Sequence, residues 1–496
     1  MRLTPQRALT AALLSLALAG CGSTVATTSQ VAASSGDGLG GPGTAPTTSG
    51  SALGGSTGGT TGTSGGLLSG STSGAHAPVP GPAAQGGTTG ATSPGTVASL
   101  PPAARTQGPV KIGFFVLQDT GAAFQALGYG GLSSGNGKTQ VLAAVAMVNA
   151  KGGIGGRKIV PVVYEASATG NTSDEYSKGC STFFDDNKVS AVVSINYSDQ
   201  LNACVKKAGV PFISDSTAST SDASLAKNPL LVLPNHLSVE RAAALIVKGF
   251  VAKGWLSAAQ KPVIGLITFD DPAYTKVEGI VRSTLSQAGL TLKDTYKMPI
   301  SDIPSATSAG KSAALKFQAE GIDHVLGIDT GFGMSWFTLS AGNQGYYPKL
   351  GMTSLSLPGG FPILFNDKQL NGSAVIGWSP ALDTIPAYQP IVSPRTTACL
   401  NAMKAAQEDM SADLARLQSE LLCDATWFLA DTFPAGTINA TTMLSGMSAM
   451  TRGFQSTVAF KSDPRSSRTS AAGYRDASYA ASCKCYVYSG PLHPVG

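Results

Sequence analysis

From Val110 onward the chain alternates short apolar runs with amphipathic stretches, and this rhythm limits the fold more than any other feature. Residues 110–117 read as a strand, 139–150 as a helix, 158–164 as a strand and 174–187 as a helix. Residues 189–195 then read as a strand, 199–208 as a helix and 210–214 as a strand. A second run follows, with strands at 262–268 and 324–328 and helices at 274–288, 308–320 and 335–344. Strand–helix alternation of this kind implies an α/β fold, with parallel sheets covered by helices on both faces. The two runs part around residues 233–238, and about 390 residues exceed what one ordinary core organises. The expectation is therefore two doubly wound parallel-sheet lobes joined by hinge crossovers. Residues 399–433 break the rhythm: Leu400, Met403, Met410, Leu414, Leu417 and Leu421 recur at helical spacing. They predict two packed helices with Ser411 as a candidate N-cap for the second. From Thr457 onward the pattern predicts short strands and loops.

The start of the chain carries a different message. Arg2 and Arg7 precede an apolar run at 8–19, broken only by Thr10 and Ser15 and too short to span a bilayer. It ends in Leu18-Ala19-Gly20-Cys21, which resembles the lipobox of bacterial lipoproteins. The resemblance implies a signal peptide at 1–20, lipidation of Cys21, and an extracytoplasmic protein anchored to the cell membrane by its lipid. Residues 21–108 are almost entirely Gly, Ser, Thr, Ala and Pro, a composition that cannot offset its ordering entropy by burial. A disordered tether is expected, with Ser and Thr as candidate O-glycosylation sites.

Export bears on the cysteines. Of seven, Cys21 goes to lipid, leaving Cys180, Cys204, Cys399, Cys423, Cys483 and Cys485. An even remainder in an oxidising compartment predicts disulfides, for which six cysteines allow fifteen connectivities. The net charge is +5, two of it from Arg2 and Arg7, and no Lys/Arg cluster suggests a nucleic-acid partner. No later stretch reaches the eighteen unbroken apolar residues of a membrane span.

Residues 149–159, Asn-Ala-Lys-Gly-Gly-Ile-Gly-Gly-Arg-Lys-Ile, follow an alanine-rich helix and lead into a strand. Gly152 and Gly153 suit a left-handed helix stop, and Gly155-Gly156 a tight turn. The stretch resembles the signature of type I periplasmic binding proteins, the family of the Leu/Ile/Val-binding protein. The resemblance extends across most of 110–450. It includes Ile112-Gly113 with Thr120-Gly121, Gly209-Val210-Pro211-Phe212-Ile213-Ser214, the segment from Asp270 to Tyr274, and Cys423-Asp424-Ala425. The Cys180 to Cys204 spacing matches a disulfide of that family. For the other four, Cys399–Cys423 with Cys483–Cys485 is one option and cross-pairing is equally open. The resemblance implies a first lobe at 109–234, a second at 235–357, a return to the first with packing helices at 358–450, and terminal strands and loops at 451–496.

Ligands of open α/β sheets sit beyond the carboxyl ends of the strands. That rule selects the loops 118–124, 196–199, 214–220, 270–274 and 329–332. By resemblance, Ser198 meets a ligand carboxylate, Ser216 and Ala218 offer hydroxyl and backbone groups to an amino-acid head, and Tyr274 covers the ligand from the second lobe. Gln118, Thr120, Phe124, Tyr197, Thr217, Asp329 and Thr330 complete the candidate set from the same loops. Each has a plainer reading: Ser198 and Ser216 as helix or turn caps, Tyr274 as a packing aromatic, Asp329 as a solvated acid rather than partner to an ammonium. The loop at 128–137 and Asp215-Ser216-Thr217-Ala218 depart from the family pattern, which leaves the ligand open.

Catalysis finds no support. Gly137-Lys138-Thr139 suggests a phosphate loop, but Leu132 stands where its first glycine belongs. The four histidines (His76, His236, His324, His493) form no catalytic or metal motif, and Cys483-Lys484-Cys485 suits a disulfide better than a metal. No cofactor is expected. The implied function is an extracytoplasmic solute-binding lipoprotein of an ABC importer, monomeric, not an enzyme, delivering a small polar metabolite such as an amino acid or amide to permease subunits. The alternative is an extracellular ligand-sensing domain of the same fold with no transport role.

Overall fold

The computed structural model describes residues 108–122, 133–168, 170–214, 220–299, 303–330, 332–410 and 413–496. The segments expected to be a signal peptide and tether, up to residue 107 and including Cys21, lie outside them, as do Phe124, Ser216, Thr217, Ala218 and Ser411.

Five strands form the first sheet: β1 (Val110–Gln118), β2 (Ile159–Ser167), β3 (Val192–Ser194), β4 (Phe212–Ser214) and β5 (Leu231–Val232). They lie in the order β2-β1-β3-β4-β5, and every pairing is parallel. Side chains of a strand alternate between faces, and β1 divides its burial accordingly. Val110, Ile112, Phe114 and Val116 enter the main core, whereas Phe115 and Leu117 join a second cluster with Tyr176, Phe183, Val205 and Phe212. Helix α1 (Gly137–Ala150) starts at Asn136, whose Oδ1 accepts from Thr139 N, and ends as expected. There Gly153 N donates to Val148 O, and Gly152, Gly153, Gly155 and Gly156 all have positive φ. The helix predicted at 174–187 is α2 (Thr172–Cys180) running into a π-helical turn at Ser181–Asp186. It is followed by α3 (Asp199–Ala208) and α4 (Asp222–Lys227).

The chain then passes through a first crossover, residues 233–238, into α5 (Val239–Ala252) and the second sheet. This comprises β6 (Ile264–Phe269), β7 (Leu292–Met298), β8 (His324–Gly327), β9 (Lys349–Thr353) and β10 (Ala374–Gly377), all parallel. Helices α6 (Val277–Gln287), α7 (Ile303–Ala319) and α8 (Phe332–Asn343) connect them. Strands β7, β9 and β10 and helix α5 were not expected from the sequence, although α5 buries Val239, Ala242, Ala243, Ile246 and Phe250 at helical spacing.

A second crossover, 378–393, leads to α9 (Pro394–Ala405) and α10 (Asp413–Thr432), which pack against α1, and then to α11 (Ala440–Ala449). A third, 454–472, returns the chain to the second sheet. The sheet gains β11 (Gly473–Ala480) and β12 (Cys485–Pro494), giving the order β12-β11-β10-β9-β8-β6-β7. Both added pairings are antiparallel, so the sheet is mixed rather than wholly parallel, and the tail is a long hairpin rather than short strands. A hairpin needs no crossover helix, which is why the strand–helix rhythm gave no sign of it. No helix among the described residues is long and apolar enough to cross a membrane.

The sulfurs pair as Cys180–Cys204, Cys399–Cys423 and Cys483–Cys485. Cys399 and Cys423 are fully buried, in an apolar cluster with Ala143, Ala144 and Met403 between α1, α9 and α10.

Candidate functional site

All strands of the first sheet run in one direction, so their carboxyl ends form a single rim. Thr120, just past β1, is buried and its Oγ1 accepts from Ser134 N and Ser134 Oγ. Gln118 is exposed. Beyond β3, Ser194 Oγ closes a small turn by accepting from Asn196 N at 3.0 Å and donating to Asn196 O. The Asn196 side chain is 1% exposed, and neither Oδ1 nor Nδ2 has a hydrogen-bond partner among the described residues. Ser214 Oγ and Thr220 Oγ1, at the end of β4 and just beyond it, share that condition. A buried, unpaired polar group costs about 1–3 kcal/mol, and three of them gather on one rim.

Ser198 Oγ accepts from Leu201 N at 3.0 Å and caps α3, so its hydroxyl is committed to the helix start. Tyr197 stacks on Phe212, and its hydroxyl donates to Asp199 Oδ1 at 2.7 Å. Burial and that carboxylate push the phenol well above its ordinary pKa.

The second sheet has the matching rim. Thr268, in β6, and Thr330, beyond β8, are buried with Oγ1 atoms lacking partners among the described residues. Asp329 is fully buried rather than solvated. Its Oδ2 accepts from Met334 N, near the start of α8, and its Oδ1 from Ser356 Oγ, both at 2.8 Å. Its carboxylate thus ties the loop after β8 to the helix that follows it and to the turn at Ser354–Ser356 beyond β9. Tyr274 is 2% exposed and meets Phe269 edge-on at 5.3 Å, as a packing aromatic does. Asp271 Oδ1 accepts from Ala273 N and fixes the turn that presents Tyr274.

A further buried acid, Asp383, follows β10. Its Oδ2 accepts from Tyr488 OH at 2.6 Å and Ser354 Oγ at 3.1 Å, and burial pushes its pKa up to about 7. Ser354 Oγ in turn accepts from Trp378 N and Ser379 N. His236, in the first crossover, is fully buried, and burial pulls its pKa down to about 3. His324 opens β8 with Nδ1 2.6 Å from Asp323 Oδ1. Among the described residues no group of His, Cys, Asp or Glu is placed to hold a metal.

The loops selected from the sequence contain Asn196 and Ser214 without singling them out, and they exclude Thr268 and Asp383. For Asn196 the usable signal was its position, a polar residue directly after the buried run Ala191 to Ile195. Nothing local distinguishes Thr268 from any other strand threonine.

A family model described as periplasmic binding protein matches residues 109–481. No curated protein matches the chain in sequence. Among solved structures, a solute-binding protein of an ABC transporter from Rhodopseudomonas palustris HaA2, in complex with p-hydroxybenzoic acid, superposes with a TM-score of 0.57 at 14% identity. That alignment covers 78% of this chain and 97% of the other. An ABC transporter substrate-binding protein from Desulfitobacterium hafniense, complexed with Leu, gives 0.53 at 15% identity over 77% and 100%. An ABC transporter substrate-binding protein from Aeropyrum pernix gives 0.57 at 16% over 78% and 95%. At such identity these structures share the fold.

Proposed function

The chain belongs to the periplasmic binding protein family, whose members bind solutes for ABC transporters, and from that premise we propose that it captures a small polar metabolite between two lobes. The capture site lies between the two rims, and the protein works outside the cytoplasm as a lipoprotein held through Cys21, passing its ligand to permease subunits. The observation that carries the reading is the set of buried hydroxyl and amide groups at both rims: Asn196, Ser214 and Thr220 on one, Thr268 and Thr330 on the other. A polar solute that hydrogen-bonds them offsets their desolvation. Because it touches both lobes only when they close, it favours the closed state.

Charge narrows the solute. The loops 118–124, 196–199, 214–220, 270–274 and 329–332 hold Asp119, Asp199, Asp215, Asp270, Asp271 and Asp329 but no Lys, Arg or His. An anion would enter a low-dielectric cleft with no basic side chain from these loops to meet it. This supports a neutral or zwitterionic solute, such as an amide or a neutral amino acid. Ser198, Tyr197 and Tyr274 stay in the proposed site as its walls, and Ser216, Thr217 and Ala218 stay in it on the sequence resemblance alone.

Thermal-shift screening of the full chain against amino acids, amides and aromatic acids tests this. A binder present at 100 times its dissociation constant stabilises the folded state by about 2.7 kcal/mol. Neutral amides or neutral amino acids are expected to raise the melting temperature. A shift with dicarboxylates or aromatic acids alone would overturn the charge argument, and no shift with any solute would overturn capture.

A further inference from the structure

Among the described residues three crossovers, at 233–238, 378–393 and 454–472, carry the chain between the two sheets with their helices, and they converge on one helix. Asp424, in α10, is fully buried. Its Oδ2 accepts from Asn235 Nδ2 of the first crossover and from Ser456 Oγ of the third, each at 3.1 Å. Its Oδ1 accepts from Thr457 N and, at 3.0 Å, from Thr457 Oγ1, also of the third. One turn earlier on the same helix, Glu420 Oε2 accepts from Gln389 Nε2 of the second crossover at 2.9 Å, and its Oε1 from Arg416 Nε. The Glu420 carbonyl lies 2.7 Å from Thr457 Oγ1 and competes for its proton. The spacing of four residues puts both carboxyl groups on one face of the helix.

We propose that Asp424 and Glu420 are positioning residues: a paired clamp that grips all three crossovers and sets the resting angle between the lobes. The proposal rests on the capture reading above. Lobe closure requires changes of backbone torsion in the crossovers, and torsions fixed by buried acceptors change only when those bonds rearrange. The crossovers are also laced to one another. Leu233 N donates to Arg468 O and Ser470 N to Leu233 O, while Phe460 N donates to Trp378 O. Ser393 Oγ and Thr396 Oγ1 donate to Ser456 O and Thr457 O. A displacement of one segment is therefore passed to the others. Burial pushes the Asp424 carboxyl up to about 6, against the pull of its four donors.

The test is the interlobe distance in the full-length protein without added solute. Spin labels carried by unnatural amino acids replace the exposed Lys207 and Lys293, and pulsed dipolar spectroscopy reads the distance distribution. The wild type is expected to show a dominant open distance with a minor closed one. In Asp424→Asn and Glu420→Gln the ratio of the two populations should change by about tenfold, the worth of one hydrogen bond to a charged group. Asn235→Ala, which leaves α10 untouched, should move it the same way as Asp424→Asn. Glu408→Gln is the control. That carboxylate accepts from Asn136 N and Gln140 Nε2 within the first lobe and should lower the melting temperature without moving the distances. Two wild-type distances with unchanged ratios in all three clamp variants would overturn the clamp alone. A single distance shared by wild type and variants would overturn hinge closure, and the clamp with it. If Asp424→Asn fails to fold, Asn235→Ala and Glu420→Gln decide.

Discussion

Replacing Gly155 by alanine tests the turn that most identifies this sequence, and the structure supplies both the magnitude and a control. Gly155 has φ +57, and a Cβ built on it would lie 2.0 Å from Gly436 N, 2.4 Å from Gly436 Cα and 2.6 Å from Ala435 C. All three atoms are backbone. Relief requires moving the turn after α10, where Gly436 N donates to Phe433 O and Gly436 O accepts from Arg157 Nη1 at 2.8 Å. The left-handed conformation alone costs alanine about 1–2 kcal/mol. Overpacking adds roughly 1–3, and a lost hydrogen bond about 1 more. Together these come to about 3–6 kcal/mol, of which a stiffer unfolded chain returns roughly 0.4–1, so the expected loss is about 3–5 kcal/mol. Gly209 supplies the control: its φ is +68, but nothing lies within 4 Å of a Cβ there. Gly209→Ala therefore carries only the conformational cost, less the roughly 0.4–1 kcal/mol recovered from a stiffer unfolded chain, so about 1 kcal/mol. Calorimetry on the two full-length variants makes the comparison, at about 2 °C for each kcal/mol in a domain of this size. Gly155→Ala should melt roughly 6–10 °C below wild type and Gly209→Ala about 2 °C below. Equal losses would mean that the 435–436 turn is not held against Gly155 and that the signature glycine serves conformation alone.

Three further outcomes are expected. Replacing Cys399 and Cys423 by alanine, or Cys180 and Cys204, should each cost on the order of 3 kcal/mol in denaturant unfolding, since both pairs span 24 residues. Cys483 and Cys485, two residues apart, should cost far less when replaced; a cost equal to the others would argue against loop closure as the source. The folded-state pKa of Asp383, about 7, stands above its ordinary 3.8, so its stabilising contribution is present below about pH 4 and is lost as pH rises through about 7. The melting temperature of Asp383→Asn relative to wild type should accordingly climb between pH 4 and 8, and a flat difference would count against a buried acid there. Once the thermal screen yields a solute, Asn196→Ala should weaken its binding about tenfold in titration calorimetry while leaving stability nearly unchanged, because its side chain makes no hydrogen bond among the described residues to lose. Ser198→Ala should do the reverse, losing about 1 kcal/mol of stability with the cap; unchanged affinity for that variant would remove its hydroxyl from the proposed site.

The first sheet was legible because its strands carry their own signals. In β1 the run Ile112 to Leu117 is buried on both faces, so it reads as unbroken apolar sequence, and α1 is stopped by glycines whose positive φ other residues adopt only at a cost. In β7, Lys293, Asp294, Thr295 and Lys297 dilute the apolar positions because the strand lies at the sheet edge, and only its pairing with β6 makes it a strand. The hairpin of β11 and β12 was obscured for a similar reason. Its outer strand is exposed along most of its length and includes Gly490 and Pro491.

Which loops follow the strand ends was legible in the sequence, which of their side chains lack partners was not, and the cause is physical. Which strand end faces a cleft follows from direction and order, and those follow from pattern. Whether a hydroxyl there is free depends on partners distant in sequence. Thr120 looks as available as Thr330 until Ser134, fourteen residues on, occupies it. Asp329 looks like a partner for a ligand ammonium until Ser356 and the start of α8 take its oxygens. Conversely, Asp424 sits in a helical segment whose apolar spacing explains α10 entirely. Its four donors come from residues 235, 456 and 457, which only the completed fold brings beside it. A buried carboxylate with four donors is costly to place and costly to disturb, since removing it strands each of them. The proposed clamp therefore rests on partners that lie on other segments, in the crossovers at 235, 389, 456 and 457.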